Sequence, residues 1–398
     1  MQFKFRNVND AFRGLVAGFA NGSIPTRRSQ SRVGEVLMVD EPVMVTYTHP
    51  RERVLFNAAR DANPFFHLFE SLWMLAGRND VAPLVHYNSQ MVNYSDNGET
   101  FNGAYGYRWC RHGRTMTEAC SRWFNNNFNA LKSVGDCSWK CPVCGGCGYA
   151  PNTTYPDPMC YGCGGSGVLN PSEHDQLSLI IDQLKRKPGS RRCVLQMWNV
   201  EDDLLKIDVT KDVCCNTHAY FSLRDEGIGS GPVRLDMTVC NRSNDMIWGM
   251  LGANVVHFSF LQEYIANCLG VGVGVYNQFS NNLHVYTERW EPEKWLADTT
   301  VFDYANCNTV PLVKNPTVFD QECAAFIDSW LGNWTEPFLA RVAAPMCRAF
   351  NLHKERRYAE ALAVVSQVES DDWQVAAFNW ISKRKQLWEN KNVSSCVE

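Results

Sequence analysis

Residues 254–270, NVVHFSFLQEYIANCLG, set the first constraint on the fold. They are apolar on nearly every side and end at Gly270, a residue that can take a left-handed cap. The stretch reads as a long, largely buried helix. A second stretch of the same kind, PFFHLFESLWMLAG at 64–77, carries one acid, Glu70, and stops at Gly77. Strands are predicted at RRCVLQMWNV (191–200), HAYFSLRD (218–225) and VRLDMTVCNRS (233–243), with DEGIGSGP as the hairpin loop between the last two. SEHDQLSLIIDQLKRKPGS (172–190) is predicted as a helix with Ser172 as N-cap, Leu177, Ile180, Ile181 and Leu184 as its stripe, and Pro188-Gly189 as its end. Residues 320–392 also read as helical, with Trp330, Trp334, Phe338, Trp373, Phe378 and Trp380 as core. The class is α/β, and no internal repeat or low-complexity tract interrupts it.

A chain of 398 residues can bury a large core, and its length suggests two to three domains. A net charge of −4 gives no basic field, so direct nucleic-acid binding is not expected. No run of about 18 apolar residues could span a bilayer, and the start, MQFKFRNVNDAFRG, lacks an apolar signal core. The expectation is a cytoplasmic protein. An odd count of 17 cysteines in a reducing compartment argues for thiols and a metal rather than a disulfide frame.

Between 121 and 172 periodicity is lost, and Asn, Gly, Cys and Pro accumulate. Within this insertion Cys141-x2-Cys144 and Cys160-x2-Cys163 form two glycine-flanked knuckles 15 residues apart. Such turns aim paired thiolates at one tetrahedral ion. Four thiolates fill the coordination sphere of a structural Zn²⁺. Cys137 and Cys147 are spare and could replace a ligand. The insertion is either a metal-stapled loop or a docking or nucleic-acid surface. Its scarcity of Lys and Arg favours the staple.

Several short motifs carry weak signals singly. Adjacent Arg191 and Arg192 on a strand point to opposite faces, so one at most could serve a pocket of its own subunit. Arg242 and Ser243, in CNRSND, make a fair anion cradle at a strand end. His284 and Tyr286, in NNLHVY, share one face of a short strand. Taken together and in order, ESLWMLAG, NGAYGYRW, GSRRCVLQMWNV, a Cys before a strand, CNRSND, GANVVHFSFLQEY and NNLHVY resemble thymidylate synthase and the phage deoxypyrimidylate hydroxymethylases of its superfamily.

The resemblance implies the thymidylate synthase fold, a bulged mixed sheet with packed helices. Here it would carry a zinc-ribbon-like insertion and a helical C-terminal extension. The catalytic domain would comprise 1–109 and 175–300, the insertion 110–174, and the extension 301–398. The resemblance also implies roles. Cys215 falls at the nucleophile, with Cys214 as rival. Arg242 and Ser243 fall on phosphate ligands, and Arg32 on a further phosphate arginine. Arg191 and Arg192 fall on a pair that crosses a homodimer interface to the partner's deoxypyrimidine monophosphate. Glu70 matches a buried glutamate that manages protons and water and contacts folate. Tyr105 matches a tyrosine near C5, Asp245 a folate-contacting aspartate and Asn254 the reader of the pyrimidine. His284 and Tyr286 match the pair that holds the 3′-hydroxyl. The implied co-substrate is 5,10-methylenetetrahydrofolate.

A thiolate adding to C6 makes C5 nucleophilic toward that methylene. Loss of tetrahydrofolate leaves an exocyclic methylene, which hydride turns into methyl and water into hydroxymethyl. Asn216 follows the cysteine where synthases usually carry His, Met91 stands in the slot of a synthase tryptophan, and the C-terminus is NVSSCVE rather than a short apolar tail. These departures favour water in a wetter pocket. An amide at Asn254 can donate to O4 and accept from N3–H of uracil, although a flipped amide could serve cytosine. The expected enzyme is a dUMP hydroxymethyltransferase; the alternatives are a dCMP hydroxymethylase, thymidylate synthase and a non-catalytic scaffold. Cys193, Cys240 and Cys268 read as small core residues and His257 as a satisfied core histidine. The facing of His218 is open.

Overall fold

A computed structural model describes residues 1–110, 175–225 and 232–394. In chain order the elements are β1 (Gln2–Phe5), α1 (Val8–Ala20), β2 (Thr26–Ser31), β3 (Gly34–Val39), β4 (Val43–Tyr47), α2 (Pro64–Leu75), α3 (Ala82–Tyr87), α4 (Tyr105–Cys110), α5 (Gln176–Arg186), β5 (Val194–Gln196), β6 (Asn216–Arg224), β7 (Arg234–Asn241), β8 (Asn244–Asp245), α6 (Val255–Leu269), β9 (Gly272–Ser280) and β10 (Leu283–Tyr286). Then come α7 (Pro292–Ala297), α8 (Pro316–Asp328), α9 (Ala344–Lys354), α10 (Tyr358–Val365) and α11 (Asp371–Ser394).

The larger sheet runs β1-β4-β9-β7-β6-β5 and the smaller β2-β3-β10-β8. Parallel pairs β1/β4 and β7/β9 sit among antiparallel ones, so the large sheet is mixed. It is also bulged, with register shifts between Asn216 and His218 and between Leu235 and Met237. Bulges turn a strand and re-aim its side chains, and the first begins one residue after Cys215. The hairpin expected from HAYFSLRD and VRLDMTVCNRS is present: β6 and β7 pair from Asn216–Asn241 to Arg224–Arg234.

Helix α6 lies across β7 and β9. Its Phe258, Phe260, Leu261 and Ile265 are all buried, each contributing about 1.5–3 kcal/mol by leaving water. Gln262, fully buried, donates to the carbonyls of Leu235 (2.8 Å) and Val275 (3.0 Å), so a polar residue closes the ladder beside the second bulge. Gly270 takes φ 69° and ends the helix as expected. Helix α2 packs on α6. Asn63 caps it, accepting from the N–H of Phe65 and Phe66, and Gly77 at φ 66° follows its end. Gly106 is obligatory where α4 meets α2, because a Cβ there would come within 2.0 Å of the Met74 carbonyl oxygen.

Several expectations need correction. The α5 stripe of Leu177, Ile180, Ile181 and Leu184 is buried, but the N-cap is Asp175, three residues beyond Ser172. Its carboxylate accepts the Ser178 N–H, which fixes the start there. The strand expected over 191–200 shrinks to Val194–Gln196, so Arg191 and Arg192 precede it and the opposite-face argument does not apply. In the C-terminal segment Phe338, Trp373 and Trp380 are buried and Trp330 and Trp334 half-buried, but Phe378 is exposed. Cys193 is buried, whereas Cys240 and Cys268 are half-buried.

The C-terminal helices cover the outer side of α2. Phe65 packs on Phe350 and Trp380, with ring centroids 5.4 Å apart in both pairs. Arg384 clamps Asp61 bidentately at 2.7 and 2.9 Å. Buried Glu263 on α6 is ion-paired to Arg53 and accepts the Leu312 N–H. Among the described residues no helix is long and apolar enough to cross a membrane.

Candidate active site

The loop 210–215 carries both candidate cysteines and is fixed by aspartates. Asp96 accepts the Thr210 hydroxyl (2.5 Å) and the Lys211 N–H (2.9 Å). The Asp212 carboxylate accepts the Gly103 N–H at 2.7 Å. Asp203, fully buried, accepts the Cys214 N–H at 3.1 Å and is paired with the guanidinium of Arg108 on α4. Arg108 also donates to the carbonyls of Met197 (2.6 Å) and Asn102 (2.9 Å). A charged pair taken out of water thus ties the cysteine loop to α4 and to the edge of the large sheet.

This frame treats the two thiols differently. Cys214 is 1 % exposed, with its sulfur 3.3 Å from the Gly103 carbonyl oxygen, and burial pushes its thiol well above the usual range. Cys215 is only half-buried. Burial raises its thiol too, but Arg242 and, more weakly, Arg32 draw it back toward the thiolate. The Cys215 and Asn216 N–H groups both donate to the Tyr105 hydroxyl, at 3.2 and 3.4 Å. Tyr105 reaches them because Gly106 lets α4 lie directly on α2.

Arg242 sits in the bend between β7 and β8. Its N–H donates to the Cys215 carbonyl (2.9 Å), its Nε to the Cys214 carbonyl (2.8 Å) and its Nη2 to the Val213 carbonyl (3.0 Å). Nη2 also stands 3.8 Å from the Cys215 sulfur. The guanidinium is therefore aimed across the thiol while its residue stays exposed. Ser243 is the next residue in that bend. Arg32 is at the turn of the β2–β3 hairpin and donates to the Lys211 carbonyl at 3.1 Å, so that hairpin tip lies on the cysteine loop. Arg191 and Arg192 are exposed, and neither guanidinium has a partner among the described residues.

The smaller sheet supplies a further group. His284 on β10 is the register partner of Asp245 on β8. Its ring stands edge-on to Tyr286, centroids 5.4 Å apart, and its Nδ1 is 3.0 Å from Asn282 Oδ1. Burial pushes the Asp245 carboxyl up and the His284 imidazole down, each partly offset by the other. Asp245 also caps a π-helix, Met246–Asn254, accepting the N–H of Ile247 (2.8 Å) and Trp248 (3.2 Å) through Oδ1 alone. Oδ2 has no hydrogen bond among the described residues.

That π-helix delivers Asn254 to the start of α6. Asn254 Oδ1 accepts from Asn216 Nδ2 at 3.4 Å, and Asn254 Nδ2 donates to Asn244 Oδ1 at 3.0 Å. One turn along α6, His257 Nε2 stands 2.9 Å from Glu70 Oε2 on α2, ion-pair distance in an orientation short of hydrogen-bond alignment. Both atoms are otherwise without a partner among the described residues, in a buried setting. His257 is thus a core histidine as expected, but not a satisfied one, since its Nε2 lies beside Glu70 without a hydrogen bond among the described residues.

Cys215, Asn216, Tyr105, Arg242, Arg32 and Asn254 thus form one contiguous cluster, with Glu70 beside it through His257 and the Asp245–His284–Tyr286 group on the adjoining sheet. Sequence reading missed Asp203, Asn244 and the contact of His257 with Glu70. Arg108 and Asn244 lie inside the quoted motifs NGAYGYRW and CNRSND, and that was their only signal. The proposed zinc ligands Cys141, Cys144, Cys160 and Cys163 lie outside the described residues. Among those described, no group of three or more His, Cys, Asp or Glu could hold a metal.

The model of the thymidylate synthase family matches residues 60–319. A deoxyuridylate hydroxymethyltransferase of Pseudomonas phage M6 is 36 % identical over 97 % of this chain and 95 % of its own length. One of Bacillus phage SP01 is 34 % identical over 62 % of this chain and 50 % of its own. A thymidylate synthase of Streptococcus suis is 33 % identical over 32 % of this chain and 43 % of its own.

Proposed function

This chain belongs to the thymidylate synthase family, and we propose that it is a deoxyuridylate hydroxymethyltransferase. The reaction converts dUMP, a methylene-bearing tetrahydrofolate and water into 5-hydroxymethyl-dUMP and tetrahydrofolate. The observation that carries the reading is the half-buried Cys215 thiol beneath Arg242 and beside the Asn216–Asn254 amides. A sulfur nucleophile, a phosphate grip and a uracil reader are what this chemistry needs in one place. Likeness over almost the full length to a hydroxymethyltransferase supports the fate of the one-carbon unit.

In this reading Arg242, Ser243 and Arg32 hold the phosphate, His284 and Tyr286 the 3′-hydroxyl and Asn254 the pyrimidine edge. Cys215 thiolate adds to C6, moving an electron pair onto C5 and O4. The folate, held in part by Asp245 Oδ2 and Glu70, supplies the methylene when bound. C5 would bond to that carbon, the carbon–nitrogen bond to the folate would break, and the proton lost from C5 would balance on the departing tetrahydrofolate; water then adds to the exocyclic methylene left on C5. The proton it releases goes to Glu70, next to His257. Electrons return to the ring and expel Cys215 as thiolate. Tyr105 fixes the backbone on which that sulfur sits.

With dUMP and methylenetetrahydrofolate, turnover is expected to release tetrahydrofolate and no dihydrofolate, followed by chromatography of the folates. Stoichiometric dihydrofolate would assign methyl transfer instead.

The same reading includes a second copy of the chain, whose Arg191 and Arg192 reach the phosphate, and one structural zinc held by Cys141, Cys144, Cys160 and Cys163. What supports these is the exposure of the two arginines, the exposed Val194 and Tyr220 on the outer sheet face, and the spacing of the cysteine pairs. Native mass spectrometry is expected to find two chains and two zinc ions per particle. A zinc-free monomer with full turnover would contradict both.

A further inference from the structure

Asn254 does not stand alone. Asn216 Nδ2 donates to Asn254 Oδ1, Asn254 Nδ2 to Asn244 Oδ1, and Asn244 Nδ2 to Ser280 Oγ (3.0 Å). All four residues are buried. Gly249 of the π-helix makes room for the middle link, since a Cβ there would meet Asn244 Oδ1 at 2.9 Å and Asn254 Nδ2 at 3.4 Å. The chain has a polarity, every amide donating toward Ser280.

A carboxamide that turns over exchanges its donor and acceptor, and with them the base it can read. Asn254 cannot turn over by itself here. Its N–H groups would then face the Asn216 N–H groups, and its oxygen would face the Asn244 oxygen. Only a concerted reversal of all three amides keeps the links, and the Ser280 hydroxyl, which both donates and accepts, would permit it. The two polarities differ at the open end. As observed, Asn216 Oδ1 is the one oxygen of the three amides left without a partner among the described residues. Reversed, the Asn216 amino group with two N–H donors would occupy that place. A buried under-used oxygen is tolerated better than a buried unpaired donor group.

We propose that Asn216 and Asn244 are specificity-determining positioning residues, which hold the Asn254 carboxamide in the polarity that reads uracil and not cytosine. This rests on the deoxyuridylate reading above. The two ends can be tested by one chemical change with opposite consequences. Aspartate accepts but does not donate when ionised. In Asn244→Asp it still accepts from Asn254 and preserves the polarity. In Asn216→Asp it faces the Asn254 oxygen, so the amide must turn its N–H groups toward it and present the cytosine pattern.

The measurement is kcat/KM for dUMP and for dCMP on each preparation, taken as a ratio so that the folded fraction and any change at Cys215 cancel. The expected result is that Asn244→Asp keeps the wild-type preference for dUMP, while Asn216→Asp shifts it toward dCMP by at least about tenfold, the scale of one misplaced hydrogen bond. If the two variants move the ratio in the same direction, or neither moves it, the inference fails while the deoxyuridylate reading stands. If the wild type itself prefers dCMP, the deoxyuridylate reading fails.

Discussion

Replacing Cys215 with serine is expected to abolish formation of the hydroxymethylated nucleotide, lowering kcat by roughly 10³- to 10⁶-fold, the range seen when an enzyme loses its covalent nucleophile. Serine keeps the size but is a far weaker nucleophile at neutral pH with no base against it. The matched change Cys214→Ser should keep activity within about tenfold, because its hydroxyl can still donate to the Gly103 carbonyl and its site is closed to substrate. The thiol's electrostatics give a second readout. Burial raises the Cys215 thiol and Arg242 lowers it. In the free enzyme, alkylation of Cys215 should rise with pH through a midpoint above that of an ordinary thiol. Arg242→Ala should move the midpoint higher still, because it removes the positive charge that favours thiolate. Peptide mass spectrometry after alkylation reads both. A Cys215→Ser enzyme with near-normal turnover, and a Cys214→Ser enzyme without it, would reassign the nucleophile.

The largest expected effect on stability lies at Asp203. Removing the carboxylate in Asp203→Ala leaves the Arg108 guanidinium buried with its charge uncompensated, and also strips the Cys214 N–H and the Asn199 N–H (2.8 Å) of their acceptor. Breaking a buried pair on one side costs about 3–5 kcal/mol. For a chain of 398 residues, at an unfolding entropy of about 2.1 cal/mol/K per residue, that corresponds to a fall in melting temperature of roughly 4–6 °C. The double change Arg108→Met with Asp203→Ala should lose less than the single one, since no orphaned charge remains. Thermal unfolding of the three variants decides. A single mutant as stable as wild type would mean that the pair does not hold the loop.

Helix α6 and helix α2 were legible because both are apolar on nearly every side and each stops at a glycine, Gly270 and Gly77, that takes positive φ; the Asn63 cap of α2 went unread. The β6–β7 hairpin was legible from alternation. The strand at 191–200 was overread, because apolar alternation persists where the chain has left the ladder. Phe378 was overread because an aromatic on a packed helix need not face the core. The π-helix at 246–254 leaves no periodic mark, since nine residues are too few to separate its winding from an ordinary helix. Cys215, Tyr105, Arg242 and Asn254 were named from a family pattern. The asparagine relay and the Arg108–Asp203 pair were not, because they join residues far apart in sequence that carry no signal singly.

The most direct test of the account is the mass of the nucleotide formed from dUMP and methylenetetrahydrofolate by the wild-type enzyme, with Cys215→Ser alongside. The account predicts dUMP plus CH₂O in the first and unchanged dUMP in the second. A product heavier by CH₂ alone, or any product from Cys215→Ser at the wild-type rate, would contradict it.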